Sequence, residues 1–418
     1  MFDIYQYALS FMFPDDFIFG SNLSDYQHFG GTRCDMPLIY SVNHKKHFKE
    51  DLQYIDVIGL TGFRFNLEWA RIEPHENFID TEAIKFYHAY FDELKKYNVK
   101  TIVTLHHFTN PEWIHKYGGM ESAYVKDKFL AYVDFVSKEF GRNIDYFAVF
   151  NEPVFYLYNA YIAAKFPPFH KCDVFGMLRA LNNVSDMHSK SYDIIKANSA
   201  GSHVGSVNAV SSNIDANIVL KPLQNAAMAV NRIFIDNSAE RSDFIGINYY
   251  VSLKNMFLGK YKINPDALVD AASRIYSRYG KPVIITENGI STTNADIKSA
   301  YLVKHLRAVE DAIENKQVGI KGYFYWSFLH GYEWFNDYRP NFGLINVHLG
   351  TMERQLSKAA LAFSMIIKDR SAKNFIISDK ADSDLSKFNG WPFSKNINPL
   401  NPKLHKDTDF NQRIKLKR

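Results

Sequence analysis

Cysteine is nearly missing from this sequence. Its 418 residues include two, Cys34 and Cys172, too far apart for a disulfide framework or a paired CxxC metal site. So low a count fits a reducing compartment. A charge excess of either sign is missing too. The 49 Lys and Arg stand against 45 Asp and Glu, a formal charge of +4, which is no nucleic-acid footprint. No apolar run reaches the ~18 residues of a membrane-spanning helix. The opening stretch MFDIYQYALSFMF has neither a basic segment nor a small-residue cleavage site, so it makes a poor secretory signal. A cytoplasmic protein is the expectation. The G-x-G-x-x-G dinucleotide fingerprint and the Walker A phosphate loop are absent as well, and no cofactor is expected.

What is abundant is aromatic side chain: 34 Phe, 26 Tyr and 5 Trp, 16% of the chain. That implies either a Phe-rich core or a site that stacks flat ligands such as sugar rings. Hydrophobic residues at 46% and charged residues at 22% exclude disorder throughout.

The chain alternates short β-rich runs with stretches of helical period, the pattern of βα units and a parallel sheet. Eight candidate strands fall at 16–23, 62–69, 100–108, 146–152, 203–210, 243–250, 282–289 and 322–329. Helical candidates lie near 44–59, 81–97, 122–140, 173–198, 220–236, 266–279, 296–315 and 355–369. Eight such units predict a single (β/α)8 TIM barrel over residues 1–370, with a doubly wound sheet as the alternative. The remaining segment, 371–418, has ten basic and five acidic residues, Pro392, Pro399 and Pro402, and no helical period. It reads as an irregular basic extension: a tail on the surface, an anionic-surface contact, or a subunit contact of a homo-oligomer.

Most strands begin apolar and end in groups able to do chemistry. Gln27 follows the first strand and Arg64 lies on the second. His107, Asn151–Glu152, Asn248–Tyr250 and Glu287–Asn288 come at later strand ends, and Trp326 is followed by Glu333. In a barrel these ends converge on one mouth. Glu152, before Pro153, and Glu287, before Asn288–Gly289, then face each other from the fourth and seventh strands. Two facing carboxyls are the equipment for cleaving a glycosidic bond. His106, His107 and Glu112 could suggest a metal site, but adjacent strand residues point to opposite faces. No metal is expected.

The blocks FIFGSNLSDYQHFG, HFKEDLQYIDVIGLTGFRFNLEWARIEP, VTLHHFTNPEWI, YGGM, FNEP, DFIGINYY, ITENG and GYFYWSFLHGYEW…FGL occur in this order. With them the chain, from about Phe17 to about Ile367, resembles glycoside hydrolase family 1, the β-glucosidase/β-galactosidase type, and NLEWARI is similar to its archaeal branch. The resemblance implies a retaining β-glycosidase acting on terminal β-D-glycosides or oligosaccharides. Glu152 would be the general acid/base and Glu287 the nucleophile, the latter supported by Arg64 and Asn248, with Tyr250 contacting it and the substrate. Asn151 would contact the sugar 2-hydroxyl, and Gln27, His107, Trp326, Glu333 and Trp334 the rest of the terminal sugar. An acid at 333, without the Ser and Lys pattern of the phospho-glycosidase subgroup, implies an unphosphorylated substrate. A transglycosidase would use the same residues. A sugar-binding pseudoenzyme would have lost one of the two glutamates.

Phe29, Met120, Phe147, Val149, His330 and Gly331 depart from the family pattern, all around the expected pocket. The stretch between Tyr250 and Glu287 is short for the family, which predicts an open mouth.

Overall fold

A computed structural model describes residues 12–211, 221–250, 252–255 and 260–387. The strands in chain order are β1 (Ile18–Asn22), β2 (Gly62–Asn66), β3 (Lys100–His106), β4 (Tyr146–Asn151), β5 (His203–Ala209) and β6 (Phe244–Asn248), then a hairpin of β7 (Ser252–Asn255) and β8 (Lys260–Lys262). After it come β9 (Val283–Asn288), β10 (Ile320–Tyr325), β11 (Ile345–Val347) and β12 (Arg354–Leu356). Eight of them close a parallel barrel in the order β1-β10-β9-β6-β5-β4-β3-β2, the fold expected from the alternation. The hairpins β7–β8 and β11–β12 are antiparallel additions that the sequence pattern does not announce.

Among the described residues, eleven α-helices connect and cover these strands: α1 (His44–Ile58), α2 (Trp69–Ile72), α3 (Thr81–Leu94), α4 (Ala123–Phe140), α5 (Pro153–Leu157), α6 (Val174–Asn198), α7 (Lys221–Ser238), α8 (Pro265–Tyr279), α9 (Ala295–Lys316), α10 (Lys358–Asp369) and α11 (Asp379–Lys387). Their starts are written locally. Asp80, Ser122, Asp173, Asn264, Asn294 and Ser357 each accept a backbone N–H from the first turn they cap, worth about 1 kcal/mol apiece.

Alternate strand residues face inward. The base of the barrel is filled by Ile18, Ile102, Ala148, Val207, Phe244, Ile284 and Phe324. Phe63, Phe65, Val103, Phe147, Ile245 and Val283 face outward into the main core under the helices. Phe324 and Ile18 explain two glycines. A β-carbon at Gly20 would come within 2.2 Å of the Phe324 ring, and one at Gly62 within 2.3 Å of Ile18. Phe324→Ala is therefore expected to cost about 3–5 kcal/mol, read as a lower denaturant midpoint at unchanged slope.

The sequence reads residues 371–418 as an irregular extension, but a helix, α11, lies within that segment. α11 folds back on α9, where Ala381 and Leu385 join Ile290, Ala300 and Tyr301 in a separate buried cluster. Two apolar residues at i and i+4 suffice to dock nine residues, but they are too few to show a helical period. Residues 388–418, with the three prolines, lie outside the described residues.

Candidate active site

Both glutamates follow a disturbance in the ladder. The β4–β5 register shifts between Ala148 and Asn151, just ahead of Glu152. The β6–β9 register shifts between Ile247 and Asn248, opposite Glu287. Such bulges re-aim side chains. They let Asn151 and Glu152, and likewise Thr286 and Glu287, serve one pocket from consecutive positions. Glu152 adopts a left-handed backbone (φ 43°, ψ 56°), a conformation costing about 1–3 kcal/mol for a non-glycine residue. Its N–H is held by the Val207 carbonyl at 2.8 Å, and Pro153 starts α5 directly after it.

The environments of the two carboxyls differ. Glu287, 4% exposed, accepts Arg64 Nη1 on Oε1 at 2.6 Å and the Tyr250 hydroxyl on Oε2 at 2.6 Å. Arg64, 1% exposed, also donates through Nε to Thr104 Oγ1 (3.0 Å) and through Nη2 to Asn151 Oδ1 (2.7 Å). Such a fork of donors is pre-shaped for carboxylate. Glu152 accepts the Asn248 amide on Oε1 at 2.7 Å. Burial pushes its pKa up to about 8, the charge of Glu287 adds to the rise, and Asn248 and Arg64 oppose it. Burial thus outranks the facing carboxylate.

Asn248 was expected beside the nucleophile position. It pairs with Glu287 along the ladder, but its amide turns to Glu152 and, at 3.2 Å, to Asn151, because Thr286 Oγ1 donates to its oxygen at 2.8 Å and fixes the flip.

The other expected residues form a second group. Gln27 lies in a π-helical turn, Asp25–Phe29, after β1. Its Nε2 donates to Glu333 Oε2 at 3.3 Å and to the Tyr332 carbonyl at 2.6 Å, while Ser24 Oγ donates to its Oε1 at 2.6 Å. Trp326 Nε1 donates to the other Glu333 oxygen at 3.0 Å. Burial holds the Glu333 carboxyl well above the usual range. Trp334 stacks on Tyr26 with ring centroids 5.4 Å apart and lies 5.1 Å from Phe108 and 5.5 Å from Phe166.

His107 lies nearly parallel to both Trp326 and Trp334 and accepts the Asn151 amide on Nε2 at 3.3 Å. That bond needs a neutral ring, and burial pushes the imidazole pKa down accordingly. His106 points away, bonded to Asn110 and packed on Phe150 and Tyr156.

Residues 40–238 and 237–372 match the profile of Glycosyl hydrolase family 1. The chain belongs to that family. Among curated relatives, the 6-phospho-beta-galactosidase of Leptotrichia buccalis is 26% identical over 458 residues, covering 84% of this chain and 98% of the relative. The Streptococcus mutans protein of the same name is also 26% identical, covering 83% and 96%. Among solved structures, a beta-glycosidase from Pyrococcus horikoshii superposes with a TM-score of 0.78 at 26% identity, covering 90% of this chain and 98% of that one. A Fervidobacterium pennivoraus structure gives 0.80 at 25% identity, covering 90% and 100%.

In this family 1 glycoside hydrolase the departures from pattern are structural in their contacts. Phe29 packs on His44 and Tyr90. A β-carbon at Gly331 would come within 2.4 Å of His28. His330 bonds the Tyr338 carbonyl. Sequence reasoning missed Ser24, Thr104 and Thr286, which orient Gln27, Arg64 and Asn248. Each is a small hydroxyl, and only its partner's position marks it. Of the mouth between Tyr250 and Glu287, residues 251 and 256–259 lie outside the described residues.

Among the described residues, Glu121, His170 and Asp173 each offer a ligand atom within 4.8 Å of the others. Arg179 already holds Glu121, and Asp173 caps α6. No described helix is long and apolar enough to cross a membrane.

Proposed function

We propose that this enzyme is a retaining β-glycosidase acting on terminal, unphosphorylated β-D-glucosides or β-D-galactosides. One observation carries the reading. Two buried carboxyls share a pocket, one clamped by Arg64 and Tyr250, the other with its pKa raised to about 8. The first is equipped to be an anion, the second to keep a proton at neutral pH.

Glu152 donates its proton to the glycosidic oxygen as the bond from that oxygen to the anomeric carbon breaks. Glu287 attacks that carbon from the opposite face and forms a covalent α-glycosyl ester. The ester is uncharged, so the electrostatic push on Glu152 falls. Glu152 then takes a proton from water, the water oxygen attacks the anomeric carbon, and Glu287 leaves as carboxylate. Two inversions return the β anomer. Asn151, held between Arg64, Asn248 and His107, is the group for the sugar 2-hydroxyl. Gln27, Trp326 and Glu333 form the polar set for the remaining hydroxyls, over an aromatic wall that includes Trp334.

The unphosphorylated preference rests on Glu333. Its two oxygens already engage Trp326 and Gln27. The test is a panel of p-nitrophenyl β-D-glucoside, β-D-galactoside and β-D-galactoside 6-phosphate, with their α anomers, followed by NMR. The expected result is cleavage of the unphosphorylated β-glycosides, with β-sugar appearing before mutarotation. A kcat/KM highest for the 6-phosphate would overturn the preference. First-formed α-sugar would overturn the retaining mechanism.

A further inference from the structure

The matched family residues end at 372, and α11 (Asp379–Lys387) lies beyond them. It docks at the mouth end of the barrel, behind the strand that carries Glu287. Ala381 and Leu385 are buried against Ile290, Ala300 and Tyr301, with Ile297 and Ile377 at the margin. Lys304 of α9 forms an ion pair with Asp382. Tyr301, fully buried, is where this packing meets the site. Its hydroxyl donates to the Tyr250 carbonyl at 2.8 Å and accepts the Asn288 amide at 2.8 Å. The same amide nitrogen donates to the Tyr249 carbonyl at 2.7 Å, and the Asn288 oxygen accepts the Tyr323 hydroxyl at 2.6 Å. Asn288 is the chain neighbour of Glu287, and Tyr250 is the residue whose hydroxyl holds Glu287 at 2.6 Å.

We infer that α11 is a positioning element for Glu287. By covering Tyr301 it keeps water off the bonds that fix Tyr250 and Asn288, and so fixes the attacking carboxylate. The inference rests on the reading of Glu287 as nucleophile. Two routes converge on that residue, one through its backbone neighbour and one through its hydrogen-bond donor. Small displacements at an attacking atom cost rate more than binding, because the aligned geometry is demanded most in the transition state.

The experiment uses the full-length chain. Ala381→Glu places a carboxylate against Tyr301 and Ile290 and lifts the helix. The expected result is a kcat on the best β-glycoside about tenfold lower, with KM changed by less than about twofold. Leu385→Ala should act in the same direction more weakly and serves if Ala381→Glu does not fold. Leu385→Met should restore the wild-type kcat. Tyr301→Phe should lower kcat similarly, and the double variant with Ala381→Glu should be no worse than the weaker single variant, since both act on one route. Val133→Ala, in the core of α4, separates positioning from stability: it should lower the melting midpoint and leave kcat intact.

A wild-type kcat in both α11 variants, or a loss matched by Val133→Ala at equal melting midpoint, overturns the role of α11. An inactive wild-type enzyme across the whole panel overturns the glycosidase reading instead.

Discussion

Replacing Glu287 with glycine is expected to lower turnover of the best β-glycoside by about a hundred-thousandfold or more, as loss of a covalent nucleophile does elsewhere. Added azide should then restore part of the rate. The reason lies in what the substitution leaves behind. Arg64 and the Tyr250 hydroxyl, each 2.6 Å from a Glu287 oxygen, would remain as a buried cation and a donor around an empty carboxylate-sized space. That is an anion site, and azide fits it. Azide seated there attacks the anomeric carbon from the face Glu287 used, so the product is the α-glycosyl azide. Mass spectrometry and NMR of the product decide the matter. Unchanged turnover in the variant, or a β-azide as sole product, would remove Glu287 from the proposed role.

Replacing Glu152 with alanine should have an effect that depends on the leaving group. For an alkyl β-glycoside, whose departing oxygen needs a proton, the loss should be about 10²- to 10⁴-fold. For a dinitrophenyl glycoside, whose anion leaves unaided, the bond-breaking step should be almost unaffected. The pH profile gives a second readout. In the wild type, Glu152 must carry a proton, so activity should fall as pH rises through about 8, and the alanine variant should lack that limb. A leaving-group-independent loss would contradict the assignment.

The same residue makes a stability prediction of definite sign. Its folded pKa, about 8, lies above the ordinary carboxyl value. Between these two values the unfolded chain releases a proton that the folded chain keeps. The folded state therefore loses stability as pH rises through that window. Glu152→Gln should melt higher than wild type at pH 7 while being nearly inactive on alkyl glycosides, with the difference in melting vanishing below about pH 4.

Much of this is legible in the amino-acid sequence. The barrel was readable because each βα unit announces itself twice, by an apolar run and by a capped helix such as Asp80 before α3 or Asn294 before α9. The two glutamates were readable because barrel topology brings strand ends together whatever their separation in sequence. Two features were harder to see. α11 docks on so few apolar side chains that composition favoured an irregular tail. The direction of the Asn248 amide depends on Thr286 on the neighbouring strand, and nothing within either strand records that contact. Burial, the main cause of the raised Glu152 pKa, is a property of the assembled site and cannot be read from residue types.

The floor of the barrel sets the order of traffic through the site. Phe324, Ile18 and their neighbours stop the barrel beneath the polar residues, so the described residues leave no passage through its base. On the reading proposed above, a glycoside goes in sugar-end first. After cleavage the outer fragment is free to go at once, whereas the sugar sits at the closed end behind it. The last molecule to leave is therefore the one that resembles the front of the next substrate. The free monosaccharide should compete with incoming glycoside, and its accumulation sets a ceiling on how far a batch reaction runs.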